Sequence, residues 1–124
     1  METVAGAKVF AAAASSPELD ERRAGCSRDE LWDIALSAIR YLCFTHDTGP
    51  DECVRPAQGL GRPENCGTKW GERGLGFFKE SQCGRTGAAM GIVARLLGDR
   101  LDGETRDMVR RVHLDYAERF GTMP

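Results

Sequence analysis

The chain has 124 residues, a length that suits one domain with a modest core. Hydrophobic residues make up 41% of it and charged residues 29%, which is an ordinary globular balance. The formal charge is −2, and lysines and arginines form no run. The composition therefore argues against nucleic acid as a partner.

Cysteine usage and the N-terminus indicate a compartment. Five cysteines stand at positions 26, 43, 53, 66 and 83, an odd number without a CxxC pair, so reduced thiols are expected. The first residues, METVAGAKVFAAAASS, lack the basic start of a secretory signal. Nothing in the chain approaches the ~20 apolar residues of a membrane span. We therefore expect a cytoplasmic protein that has no membrane partner.

The first part of the chain predicts three helices. Residues 2–14 are rich in alanine, and residues 16–18, SPE, are a start signal for a short second helix that ends near Gly25. Residues 27–30, SRDE, match a capping box and open the clearest helix, placed at 26–45. The apolar stripe of that helix comprises Leu31, Ile34, Ala35, Ala38, Ile39 and Leu42.

Helical periodicity is absent from residue 46 to residue 79, where glycines and prolines are frequent. A connection of roughly thirty residues is far longer than usual, and such loops are usually functional or disordered. Its tryptophan, phenylalanines and cysteines favour order. We therefore predict a long, ordered, functional loop.

Periodicity returns in two further segments, 80–98 and 102–121, which predict a helical hairpin. Asp102 is the expected N-cap of the second. The predicted apolar stripes are Ala88, Ala89, Ile92, Val93, Leu96 and Leu97 in the first segment, and Val109, Val112, Tyr116 and Phe120 in the second.

The predicted class is all-α: a single helical domain over 1–124, built of helical hairpins with one long ordered loop. The predicted helical faces carry more apolar surface than these helices easily cover. We therefore expect a homo-oligomer, or a chain that lacks a C-terminal partner domain.

The stretch 64–84, ENCGTKWGERGLGFFKESQCG, collects amides, charged groups and an aromatic ring. Sugar sites need this mixture, since polar groups bind hydroxyls and carboxylates while a ring contacts the apolar side of the sugar. The alternative is an ordered loop packed on its own aromatic side chains. The candidate side chains are Asn65, Lys69, Trp70, Glu72, Arg73, Glu80 and Gln82.

Two histidines have both a structural and a chemical interpretation. His46 follows the clearest helix, where it would cap carbonyls or act as a general acid or base beside the loop. His113 is predicted to be a solvated or core-edge side chain. His46, Cys53, Cys66 and Cys83 are suitable zinc ligands by type, but their spacing fits no compact finger. No cofactor and no metal are therefore expected, and a disulfide between Cys53 and Cys66 is a minor alternative.

The sequence LCFTHDTGP…GLGRPENCGTKWGERGLGFFKESQCGRT, set between helices, resembles the N-terminal helical part of heparinase II/III-type polysaccharide lyases. Those proteins have an incomplete (α/α) toroid followed by β-sandwich domains. The similarity covers residues 28–121, and this chain has only about two hairpins and no β-sandwich. The resemblance therefore implies a fragment of a longer enzyme.

The same resemblance implies β-elimination on a glycan that contains uronic acid, so an acidic oligo- or polysaccharide is the implied partner. Asn65 and Arg73 would neutralise the sugar carboxylate, and His46 would transfer the proton. The implied substrate-binding residues are Trp70, which would stack on a sugar, Glu72, Lys69, Glu80 and Gln82. Two alternatives stay open: a non-catalytic helical interaction module with a structural loop, and a small metal-stabilised domain.

Overall fold

The fold of the protein is helical. A computed structural model describes residues 2–46, 48–50, 70 and 80–120, and no strand occurs within these ranges. The predicted all-α class is therefore confirmed. The helices are α1 (Glu2–Ser15), α2 (Glu21–Ala24), α3 (Arg28–Thr45), α4 (Glu80–Leu97) and α5 (Gly103–Phe120), and a 3₁₀ turn (Gly98–Arg100) separates the last two.

The first helix packs mainly on α3 and α4. Its buried face consists of Val4, Ala7, Ala11 and Ala14, spaced three and four residues apart. Small side chains allow helix axes to approach closely, so the alanine-rich sequence of α1 suits a position between two other helices.

The second helix begins later than predicted. Asp20 accepts hydrogen bonds from the backbone N–H groups of Arg22 and Arg23, at 3.1 and 3.2 Å, so it is the N-cap and Pro17 precedes the helix. Ser16 instead accepts the N–H of Glu18 within a turn. The predicted end is confirmed, because Gly25 adopts a φ of 76° and closes the helix.

The third helix begins with the predicted capping box. The Ser27 hydroxyl accepts the N–H of Glu30 at 3.1 Å, and the Glu30 carboxylate accepts the N–H of Ser27 at 3.4 Å. The helix begins at Arg28, two residues after the predicted start. The Arg28 guanidinium donates to the carbonyls of Ala14 and Ser16, which ties the end of α1 to the start of α3.

The buried faces of α3 and α4 are shifted relative to the apolar stripes that the sequence predicts. Ile34 and Ile92 belong to the predicted apolar stripes but are each 43% exposed. In α3 the buried face includes Trp32, and in α4 it runs through Met90, Val93 and Leu97. The periodicity identifies an apolar side of each helix, but the neighbouring helices decide which part of that side is covered.

Asp102 caps α5, as the sequence predicts. Its carboxylate accepts the backbone N–H of Thr105 at 2.8 Å and the Thr105 hydroxyl at 2.9 Å. The hydrogen bond from the Thr105 backbone, followed by that from its hydroxyl, lowers the pKa of the Asp102 carboxyl from its ordinary 3.8. The charged form of Asp102 is therefore the one that stabilises the fold.

We expect Asp102→Asn to lower the free energy of unfolding at neutral pH. A carboxyl with a depressed pKa in the folded state contributes stability above its unfolded pKa, and this contribution is lost as the pH falls through the folded pKa. The difference between variant and parent should therefore shrink below about pH 4. Urea unfolding at pH 7 and at about pH 3 measures this difference in the free energy of unfolding. Asp107→Asn, which changes an exposed carboxylate on α5, is the control. An equal loss at both pH values would contradict this account.

None of the helices in the described ranges is long and apolar enough to cross a membrane.

Candidate functional site

His46 lies at the end of α3 and is buried, with 3% exposure. Its backbone N–H donates to the Leu42 carbonyl at 3.1 Å and so caps the helix. The ring nitrogen Nδ1 accepts the backbone N–H of Thr48 at 3.1 Å and lies 2.8 Å from the Thr48 hydroxyl. Because Nδ1 is an acceptor, the neutral imidazole carries its proton on Nε2.

The Nε2 atom of His46 faces α5. It lies 3.8 Å from the Asp115 carboxylate, a distance that suits electrostatic attraction but is too long for a hydrogen bond. The Asp115 side chain is 26% exposed, whereas that of His46 is 4% exposed. The carboxylate is therefore the more exposed member of this pair.

Trp70 packs directly on His46. The two rings meet edge to face, with centroids 4.4 Å apart and an interplanar angle of 72°. The indole N–H donates to the Leu42 carbonyl at 2.8 Å, and the backbone N–H of Trp70 donates to the Thr45 carbonyl at 3.2 Å. The chain that leaves α3 after His46 therefore returns to the same helix end at Trp70. We call the pair His46 and Trp70 the His–Trp anchor.

The His–Trp anchor gives Trp70 a different role from the one predicted. Trp70 is 1% exposed, and its ring is one of the largest fully buried side chains in the described ranges. A ring that stacks on a sugar must present an open face to the ligand. The buried ring, whose N–H is already bonded to a backbone carbonyl, favours a place in the core over the stacking role, which stays a prediction.

The side chains of the other predicted site residues lie outside the part of the chain that the structure describes. Glu80 is the first residue of α4 and Gln82 lies in its first turn, but neither side chain is among those described. The predicted loop, 46–79, is described only at 46, 48–50 and 70. The predictions for Asn65, Lys69, Glu72 and Arg73, and those for Cys53 and Cys66, lie outside the described residues.

Cys43 is a buried thiol on α3, and neither it nor Cys26 forms a disulfide. Burial raises the pKa of the Cys43 thiol to about 12, opposed by the positive charge of Arg111. The thiol therefore stays protonated and acts as a small apolar side chain. No cluster of three or more His, Cys, Asp or Glu residues suits a metal ion in the part of the chain that the structure describes.

Helices α4 and α5 approach closely along a row of glycines. His113 Nε2 donates to the Gly87 carbonyl at 2.7 Å, so this histidine joins the two helices, at the edge of the core as predicted. A Cβ atom at Gly84 would lie 2.5 Å from the Tyr116 hydroxyl. Gly84 therefore leaves room for the Tyr116 hydroxyl, and His113 has a structural partner.

A positively charged cavity lies where α4 ends and α5 begins. It has a volume of about 380 Å³ and contains three guanidinium groups against one carboxylate. Arg106 donates to the carbonyls of Gly98 and Leu101, at 3.2 and 3.3 Å, and so holds the 3₁₀ turn. We call this the basic cavity; it is lined by Ala94, Arg95, Gly98, Asp99, Leu101, Arg106, Val109 and Arg110.

No local pattern in the sequence predicts the basic cavity. Its arginines come from two helices and are interleaved with acidic and apolar residues, so no local run of charge marks them. The nearest sequence signal is the pair of basic residues at 106 and 110, which lie one turn apart on the same side of α5.

Comparisons with known proteins assign the chain to no family. No protein-family model matches the chain, and neither does any curated protein or solved structure. The resemblance to heparinase II/III-type lyases therefore stays a prediction.

Proposed function

We propose that the protein is a non-catalytic helical module that binds an anionic ligand in the basic cavity. The observation that carries this proposal is the meeting of Arg95, Arg106 and Arg110 around one concave surface. Guanidinium groups bind carboxylates and sulfates through paired, charge-assisted hydrogen bonds. The acidic oligosaccharide predicted from the sequence is the ligand class that we propose.

Two of the three guanidiniums are available for such a ligand. Arg95 and Arg110 are exposed, and neither takes part in the ion pairs of the described residues. Arg106 is held by backbone carbonyls and forms a fixed part of the wall. Leu101 and Val109 supply an apolar surface beside these charges, as sugar rings require.

The His–Trp anchor supports the non-catalytic interpretation. If the protein is an interaction module, the polar and aromatic groups of the loop region are expected to be buried against each other. His46 and Trp70 lie in this way. Both residues stabilise the point where the chain leaves and rejoins the helices.

A titration tests the proposed ligand. A tetramer of galacturonic acid should bind the full chain by isothermal titration calorimetry, and the neutral maltotetraose should not. The double variant Arg95→Gln/Arg110→Gln should bind at least about tenfold more weakly, since the two lost contacts together are worth at least ~1.4 kcal/mol. Arg85→Gln, which changes an exposed arginine on α4 outside the cavity, is the matched control. Equal affinity in the double variant, or no binding by the parent, would refute the proposal.

A lyase is the second candidate, because the His46 imidazole lies between the Thr48 hydroxyl and the Asp115 carboxylate. A histidine oriented by a hydrogen bond and paired with a carboxylate suits proton transfer. If this candidate is correct, the chain should convert polygalacturonate to an unsaturated product that absorbs in the ultraviolet. His46→Gln should abolish that product, and Asp107→Asn should leave it unchanged. No product from the parent chain would rule this candidate out.

We also propose a cytoplasmic location and self-association or a further partner domain. The free thiols of Cys26 and Cys43 support a reducing compartment. Among the described residues, six large apolar side chains are exposed, which supports a covered surface in an assembly. These residues are Val9, Phe10, Ile34, Tyr41, Ile92 and Leu114.

A further inference from the structure

The first helix is apolar on all sides, although only part of it is buried. Residues 3–15 contain one charged side chain, Lys8. The side that packs on α3 and α4 is buried, whereas Val9, Phe10 and Ala12 are exposed, Val9 to 64%. A helix that is hydrophobic all round is normally covered by other protein or by lipid. The outer side of α1 therefore has the composition of an interface.

The third helix extends this apolar surface. It runs antiparallel to α1, because Arg28 at its start donates to the carbonyls at the end of α1. Ile34 and Tyr41 are 43% and 51% exposed, and residues seven apart lie on the same side of a helix. Helical spacing places Phe10 on the side of α1 that turns toward this part of α3. We call the combined surface the α1–α3 face; it comprises Val9, Phe10, Ile34, Ser37 and Tyr41.

Two opposite charges border the α1–α3 face on α3. Asp33 precedes Ile34 and Arg40 precedes Tyr41, so an acid lies toward one end of the face and a base toward the other. Both charged residues are exposed. Arg40 also lies 4.0 Å from the Asp102 carboxylate, but both side chains are 45% exposed, and exposed ion pairs contribute little. A second carboxylate can therefore approach Arg40.

We propose that the α1–α3 face binds the same face of a second copy of the chain, with the two α3 helices antiparallel. A two-fold axis beside Ser37 brings Asp33 of one copy to Arg40 of the other, and this pair occurs twice. The same axis brings Ile34 to Tyr41. A parallel arrangement would instead place Asp33 beside Asp33 and Arg40 beside Arg40. The small side chain of Ser37 at the centre lets the two helices approach closely.

Other occupants fit this surface less well. A membrane surface attracts basic residues beside an apolar face, but three acidic residues border this one in the first half of α3: Asp29, Glu30 and Asp33. A helix of an unrelated protein would cover the apolar side chains, but it would not require the charges of α3 to be self-complementary. Two copies related by a two-fold axis do require this. The charge pattern therefore favours a second copy.

Sedimentation velocity of the full chain tests the proposal. Between about 1 and 100 µM, the parent should pass from a species of 13.6 kDa to one of twice that mass, which corresponds to a micromolar dissociation constant. Unfolding measured below about 1 µM therefore reports on the single chain. Ile34→Asp should weaken dimerisation at least about tenfold, since it buries a charge in the interface. Leu114→Asp, which changes an exposed leucine on α5, is the matched control and should dimerise like the parent.

A charge exchange tests the antiparallel arrangement. Asp33→Arg and Arg40→Asp each place like charges opposite each other in both symmetry-related pairs, so each should weaken dimerisation at least about tenfold. The double variant Asp33→Arg/Arg40→Asp restores opposite charges and should dimerise again. A general loss of structure cannot produce this recovery, and far-ultraviolet circular dichroism verifies that each variant is helical.

The proposal rests on the self-association proposed above and assigns a surface to it. A dimer that persists in Ile34→Asp, or that the double charge variant fails to restore, would overturn this surface and leave self-association itself in place. A parent chain that is monomeric up to about 100 µM would overturn both. Oligosaccharide binding is independent of either result, because the basic cavity shares no residue with the α1–α3 face.

Discussion

Replacing Trp70 with alanine is expected to lower the free energy of unfolding by about 3–5 kcal/mol. The ring is 1% exposed and packs on His46, so its removal leaves a cavity at the end of α3. The Leu42 carbonyl also loses the hydrogen bond from the indole. Urea unfolding followed by far-ultraviolet circular dichroism measures the loss.

Two further variants separate packing from general effects of losing an aromatic residue. Trp70→Phe keeps most of the apolar volume and removes the N–H, so it should lose much less stability than Trp70→Ala. Tyr41→Ala removes a ring that is 51% exposed on α3 and should change stability by no more than about 0.5 kcal/mol. The opposite result would be a Trp70→Ala variant with the same free energy of unfolding as the parent chain but without glycan binding. In that case the ring contacts a ligand, and the His–Trp anchor is not part of the core.

Features held by hydrogen bonds within one turn were predictable from the sequence. The capping box at Ser27 and Glu30, the Gly25 terminus and the Asp102 cap each depend on residues at most a few positions apart. Their donors and acceptors are fixed by residue type and spacing, so a local pattern suffices. The start of α2 was misplaced because Ser16 and Asp20 are both competent caps, and the sequence alone does not rank them.

Features that depend on distant contacts were not predictable in the same way. Trp70 stands in a glycine-rich stretch without periodicity, so its sequence context resembles that of a ligand-binding ring. Its burial follows from contacts with His46 and the Leu42 carbonyl, which no local pattern encodes. The basic cavity has the same character, because it combines Arg95 from α4 with Arg106 and Arg110 from α5.

The second large effect is expected at Gly49, just after His46. A Cβ atom there would lie 2.6 Å from the Cys43 carbonyl oxygen and closer still to the oxygen of Phe44. These are backbone atoms at the end of α3, so they cannot move aside by a change of rotamer. Gly49→Ala should therefore destabilise the protein by about 2–3 kcal/mol, as overpacking does.

Gly103→Ala is the matched control for Gly49→Ala, because nothing lies within 4 Å of the added Cβ and alanine favours the helix. It should leave the free energy of unfolding unchanged or raise it slightly. The backbone N–H of Gly49 donates to the His46 carbonyl at 2.8 Å, so the clash at residue 49 displaces the turn that carries His46. In nuclear magnetic resonance spectra of the ¹⁵N-labelled chain, the indole N–H signal of Trp70 should accordingly shift in Gly49→Ala. The same signal should stay in place in Gly103→Ala. Equal stability of the two variants would mean that the chain leaves α3 by a different path, and the His–Trp anchor would lose its geometric basis.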